Sequence, residues 1–167
     1  VTESLFRKYR SAKEFARANP ASFQKAISSV PFFRNKTKAI LSTAHDIVTM
    51  YGGVVPKSAV ALTALHGIGY KTAHVIIGEL YGIYEGIPTD TPGKRFAYRF
   101  DLTEERELVK ISKALEALVP KRDWKYVNNG LVLYGRYLCK ARKHDCKNHP
   151  LTKLWPPAET RWPRSRF

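Results

Sequence analysis

The stretch Leu65-His66-Gly67-Ile68-Gly69-Tyr70-Lys71-Thr72-Ala73 holds a turn, an amine and a run of backbone donors. Two glycines around Ile68 permit positive φ and the close approach of backbone to a ligand. With helices on both sides, the turn gathers N–H groups at a helix N-terminus, a ready site for an anion. His66, Gly67, Ile68, Gly69, Tyr70 and Thr72 are therefore candidate phosphate contacts, and Lys71 taken alone is one more. Asp90, in Pro88-Thr89-Asp90-Thr91-Pro92, reads by itself as a helix cap. Cys139 and Cys146 are the only cysteines, and a reducing compartment suits both as thiols.

Holding these groups requires rigid elements, and the apolar spacing supplies helices. Leu5, Phe6, Tyr9, Ala12, Phe15 and Ala16 predict a helix over 3–18, stopped by Asn19-Pro20. A short helix over 22–29 follows. Val30-Pro31-Phe32-Phe33 then reads as a break carrying exposed aromatics. Ala39, Ile40, Ala44, Ile47 and Val48 define an amphipathic helix over 35–50, ended by Gly52-Gly53. A short helix opens after Ser58, with Val60, Leu62 and Leu65 inward, and a second runs over 70–80. Helices are expected over 91–100, from a cap at Thr103 to 118, and over 123–138. The remainder reads as basic, proline-rich and irregular. No alternation of period two is sustained, so the fold class is all-α.

The chain has 167 residues, 44% of them apolar, enough for one domain with a proper core. We expect a helical core over 1–138, containing the hairpin 57–80, and a basic loop and tail over 139–167 packed on it. The composition excludes a disordered tail, a collagen-like repeat and a disulfide-stapled miniprotein. No apolar run is long enough to span a membrane, and there is no signal peptide. The first residue is Val1 rather than Met, as in a trimmed chain. Lys and Arg number 29 against 14 Asp and Glu, a net charge of +15. The excess is uneven: 17 basic and 11 acidic residues over 1–118, then 12 and 3 over 119–167. Such a balance favours a polyanionic partner, nucleic acid first and an acidic membrane second.

The hairpin resembles the helix–hairpin–helix of the endonuclease III-like superfamily of DNA glycosylases and AP lyases. Val54-Val55-Pro56 lies before it, Pro88-Thr89-Asp90-Thr91 matches the family's Val-Asp-Thr segment, and 133–143 look like its helix leading into an iron–sulfur loop. The likeness covers roughly residues 5–155. It implies that Lys71 is a Schiff-base lysine and Asp90 the catalytic aspartate. An uncharged amine can attack C1′ of the damaged nucleotide and expel the base. The imine then acidifies the C2′ proton and permits β-elimination, while a carboxylate stabilises the cationic sugar or moves protons. The break at 30–33 matches the family's intercalating loop, which makes Phe32 a wedge and Val30 its neighbour.

The sequence departs from the pattern in three places. Of the four cluster cysteines only Cys139 and Cys146 are kept, with His149 and Trp155 in the third and fourth places. A four-iron cluster needs four thiolates, and His144 is the only nearby fourth ligand for a zinc. We therefore expect no metal and no cofactor, the loop being held by Leu151, Trp155, Pro156 and Pro157. We expect its cations, Arg142, Lys143 and Lys147 among them, still to hold phosphates. Two leading helices of the family, one of which fills the gap left by the flipped base, have no counterpart here. Pro92-Gly93 stands where the family has a histidine and an apolar residue. The implied function is bifunctional excision of a damaged base, an oxidised pyrimidine, from double-stranded DNA. The implied protein is a monomer, cytoplasmic and nucleoid-associated if prokaryotic, with no membrane partner. The alternative is a non-catalytic helix–hairpin–helix module for damaged or branched DNA.

Overall fold

The structure is a computed structural model that describes residues 1–162, apart from the side chain of Asn128. Among the described residues helices are the only regular elements, as the all-α reading expects. None is long and apolar enough to cross a membrane. Arg164 and Arg166 of the basic tail lie outside the described residues. The chain forms two compact units, 1–69 and 70 onward, and passes from one to the other between Gly69 and Tyr70.

The first unit contains α1 (Thr2–Lys8), α2 (Ala12–Ala16), α3 (Pro20–Ala26), α4 (Phe33–Tyr51) and α5 (Ala59–Thr63). The single helix expected over 3–18 is two. Tyr9 is extended, and the Ser11 side chain accepts from Glu14 N, starting a new helix. The Glu14 carboxylate reaches back to Arg10 N at 2.8 Å, much as in a capping box. Asn19-Pro20 likewise opens α3 instead of only closing what precedes it: Asn19 caps Ser22 N and Pro20 occupies the first turn. Tyr9, Phe23 and Ile27 form the centre of this unit's core, joined by Leu5, Phe15, Val30, Phe33 and Leu41. Phe23 is completely buried, worth about 1.5–3 kcal/mol. Ser58 caps α5, whose Leu62 is buried with Leu65 just beyond it, but Val60 is 80% exposed and does not face inward.

The second unit contains α6 (Tyr70–Tyr81), α7 (Thr91–Arg99), α8 (Leu108–Leu118) and α9 (Trp124–Leu133). A 3₁₀ turn at Lys121–Asp123 precedes α9, and a wide π turn at Tyr134–Leu138 continues it. The segment beyond Cys139 is less irregular than its composition suggests, because α10 (Pro150–Leu154) and a 3₁₀ turn at Pro156–Glu159 form there. Thr103 does not open α8. Its hydroxyl accepts from Glu105 N, a local turn that competes with the helix, and α8 starts only after Glu107. The core gathers Ile87, Ala97, Ile111 and Leu115, with Trp124, Val127 and Leu131 against them.

Candidate active site

Lys71 is the second residue of α6, and its side chain is half-exposed. Its Nζ lies 3.7 Å from Asp90 Oδ2. Asp90 is the N-cap of α7: its Oδ1 accepts from Gly93 N at 3.0 Å. The capping role and the pairing with Lys71 therefore coexist, one on each carboxylate oxygen. The cap also sets the carboxylate at the positive end of α7. Pro92 suits the first turn of α7, and Gly93 is buried where a Cβ would stand 3.0 Å from Thr89 Cγ2. The departure from the family at 92–93 thus leaves Asp90 firmly held.

Tyr70, beside the lysine, turns inward. Its hydroxyl donates to Glu116 Oε1 at 2.6 Å, and its ring lies on His74, 4.0 Å between centroids. Ile87 N donates to the same Oε1 at 3.2 Å, and Lys113 Nζ to Oε2 at 2.7 Å. Burial, then the Glu116 carboxylate, push the Tyr70 phenol well above its ordinary value. Burial also opposes the charge on Glu116, but the bonds from Lys113, Tyr70 and Ile87 together outweigh it and hold the carboxyl below its usual value. Gly86 makes room for this arrangement: a Cβ there would collide with the Tyr70 hydroxyl. The start of α6, and with it Lys71, is thereby tied to α8.

At the end of the first unit the turn preceding Tyr70 is fixed on α4. Gly67 has φ +82°, and a Cβ on it would meet Ala39 Cβ at 2.6 Å. Thr43 Oγ1 donates to His66 O at 2.9 Å. Gly69 has open space where its Cβ would be, and His66, Gly67, Gly69 and Thr72 are exposed. Ile68 is partly buried, its N–H donating to Leu65 O at 3.2 Å. In the same unit Phe32 is 80% exposed and left-handed at φ +59°, while Val30 and Phe33 pack on the core. Arg142, Lys143 and Lys147 are exposed and carry no ion pair among the described residues. Arg161, another cation of this region, is paired with Asp101 at 2.7 Å.

The loop after α9 is organised by a residue that sequence reasoning passed over. Arg99, on α7, is 1% exposed, and its guanidinium donates to Cys139 Sγ, to Cys146 Sγ at 2.9 Å and to Ala158 O. The Trp162 ring covers it at 3.8 Å. One helical turn earlier, Arg95 donates to Gly135 O and Cys139 O. Trp155, expected with Leu151, Pro156 and Pro157 to hold the loop, is 42% exposed. Burial pushes the Cys139 thiol up, more than the neighbouring Arg99 pulls it down. A four-iron cluster does not fit these residues: there are two cysteines, and one guanidinium bonds both. The i, i+4 spacing of Arg95 and Arg99 on the apolar side of α7 was the available signal, but nothing in the sequence distinguishes it from a solvated charge pair.

Residues 1–121 match the model of the HhH-GPD superfamily of base excision DNA repair proteins. The chain is 35% identical over 159 residues to endonuclease III of Synechocystis sp., covering 95% of this chain and 73% of that one. To endonuclease III of Bacillus subtilis it is 34% identical over 155 residues, covering 92% and 70%. A non-covalent endonuclease III–DNA complex superposes with a TM-score of 0.88 at 28% identity, over 96% of this chain and 75% of that one. A trapped endonuclease III–DNA covalent intermediate gives 0.89 over the same shares. This chain belongs to the HhH-GPD superfamily of base excision DNA repair proteins.

Proposed function

We propose that this chain is a bifunctional DNA glycosylase and AP lyase that excises an oxidised pyrimidine from double-stranded DNA through an imine at Lys71. The observation that carries the reading is the pair Lys71 Nζ–Asp90 Oδ2 at 3.7 Å, its carboxylate immobilised through the other oxygen. The Lys71 amine attacks C1′; the glycosidic bond breaks, and the base leaves with the bonding electrons and takes up a proton from the nitrogen. The C1′–O4′ bond then opens, O4′ is protonated, and the nitrogen is left doubly bonded to C1′ as a protonated imine. Asp90 stabilises the positive charge on the sugar and is within reach of the protons that move. Loss of the C2′ proton from the imine then expels the 3′ phosphate. Backbone donors at 67, 69 and 70 and the cations at 142, 143 and 147 hold the DNA backbone, and Phe32 enters the stack as the base leaves it.

The relatives named endonuclease III, one of them trapped covalently on DNA, favour this over a non-catalytic binding module. The protein acts as a monomer, on the chromosome in the cytoplasm if prokaryotic. Borohydride reduction on a duplex with one abasic site tests the reading. A covalent adduct that maps to Lys71 supports it. Tight binding without an adduct assigns the chain to the binding-module class. Duplexes each carrying one lesion identify the base, and preference for a purine lesion would replace the pyrimidine assignment.

A further inference from the structure

In the loop after the π turn, His144, Cys146 and His149 converge, with one ligand-type atom from each within 4.8 Å of the others. Cys146 is 1% exposed. His144 Nδ1 lies 2.7 Å from Arg142 O. A carbonyl only accepts, so Nδ1 carries a proton, and the neutral ring that binds a metal presents its lone pair at Nε2. That Nε2 is buried without a hydrogen-bond partner among the described residues, and so is His149 Nδ1. Two unpartnered ring nitrogens beside a buried thiol are costly in a folded protein unless something else takes their lone pairs. The two rings stand 5.3 Å apart at 34°, and Trp162 closes one side against His144.

We propose that His144, Cys146 and His149 bind one zinc ion, which ties this loop together. Two imidazole nitrogens and a thiolate are a borderline-soft donor set, the kind that zinc takes, with a fourth position left to water. Tetrahedral zinc, with bonds of about 2.0–2.3 Å, needs ligand atoms about 3.4–3.7 Å apart, so the cage closes by about 1 Å on binding. On binding, the Cys146 S–H bond breaks, sulfur bonds the metal, and the proton goes to solvent. Arg99 Nη2, already 2.9 Å from that sulfur, donates to the thiolate as an outer partner. Arg99 Nη1 holds Cys139 Sγ, which is not among the three converging ligands. The ligands follow Arg142 and Lys143 directly and flank Lys147 in the chain, so the ion fixes the segment next to these exposed cations.

The test uses the full chain. Elemental analysis after dialysis without chelator gives about one zinc per chain. The metal-free protein, titrated with cobalt(II) alone, shows tetrahedral d–d bands and a thiolate-to-cobalt charge-transfer band that saturate at one equivalent. Cys146→Ser removes the charge-transfer band. His149→Ala weakens zinc binding at least about a hundredfold, beyond the loss seen for outer-partner changes. His45→Ala, on exposed α4 surface, leaves both unchanged. Absence of cobalt bands in the wild-type protein, or a charge-transfer band surviving in Cys146→Ser, overturns the proposal, as does iron at about four per chain. The wild-type titration decides even if the variants fold poorly. None of these readings depends on glycosylase activity.

Discussion

Asp90 divides its carboxylate between the N–H of Gly93 and the amine of Lys71, and the two roles can be separated by substitution. Asn caps a helix about as well as Asp does. Asp90→Asn therefore keeps α7 and loses the charge: single-turnover base removal should slow at least about a hundredfold, with the melting temperature nearly unchanged. Asp90→Ala loses both and should also destabilise the fold by about 1 kcal/mol, read from denaturant unfolding. Full activity in Asp90→Asn would leave the residue as a cap alone. Lys71→Gln should abolish imine trapping and strand cleavage yet keep DNA binding within about tenfold, since a single phosphate-scale contact is at stake. A mutant that still traps would move the nucleophile to another amine.

Among elements, the segment joining α3 to α4 shows how packing exposes one side chain. Val30 and Phe33 bind it to the Tyr9–Phe23–Ile27 core, and Lys36 Nζ donates to Pro31 O at 2.8 Å. Phe32 is left outside, with a left-handed backbone that costs a bulky residue about 1–3 kcal/mol. Phe32→Gly should therefore stabilise the protein in thermal melts while slowing base removal; unchanged excision would show that Phe32 does not enter the stack. The break itself was legible from Val-Pro-Phe-Phe, but which aromatic stays out is decided by tertiary contacts. Boundaries at Ser11 and Thr103 were misread because a hydroxyl's hydrogen bond, not apolar spacing, sets them. The hairpin and Asp90 were legible because glycine turns and caps are local chemistry. Glu116 was not, since its partners Tyr70 and Ile87 are far away in sequence. Its carboxyl is held below its usual value, so its contribution is present above about pH 4.3 and is lost as pH falls through the lower folded value. The stability gap between wild type and Glu116→Gln, followed by urea unfolding, should shrink as pH falls below about 4. A gap that stays constant would mean that Glu116 is not charged in the folded state.

On the scale of the whole molecule, a net charge of +15 makes association with DNA a matter of counterion release as much as of contacts. The sequence disclosed that excess and its bias toward 119–167, but not which cations are free. Arg95 and Arg99 are buried and committed to carbonyls and thiols, and Arg161 is paired with Asp101. Counting every cation of the chain as a phosphate contact therefore overstates the electrostatic footprint. Arg142 and Lys143 are exposed. Each phosphate they neutralise on duplex DNA should add about 0.9 to the slope of log affinity against log salt. Replacing both with Ala should lower that slope by about two and weaken binding equally on intact and damaged duplexes. The rate of base removal within the bound complex should stay the same, because neither side chain is part of the Lys71–Asp90 pair. Fluorescence anisotropy at several salt concentrations reads the slope, and single-turnover kinetics reads the chemistry. An unchanged slope would mean that this loop faces solvent in the complex and that its cations do not bind phosphate; a changed rate at full binding would place the loop within reach of the reacting sugar.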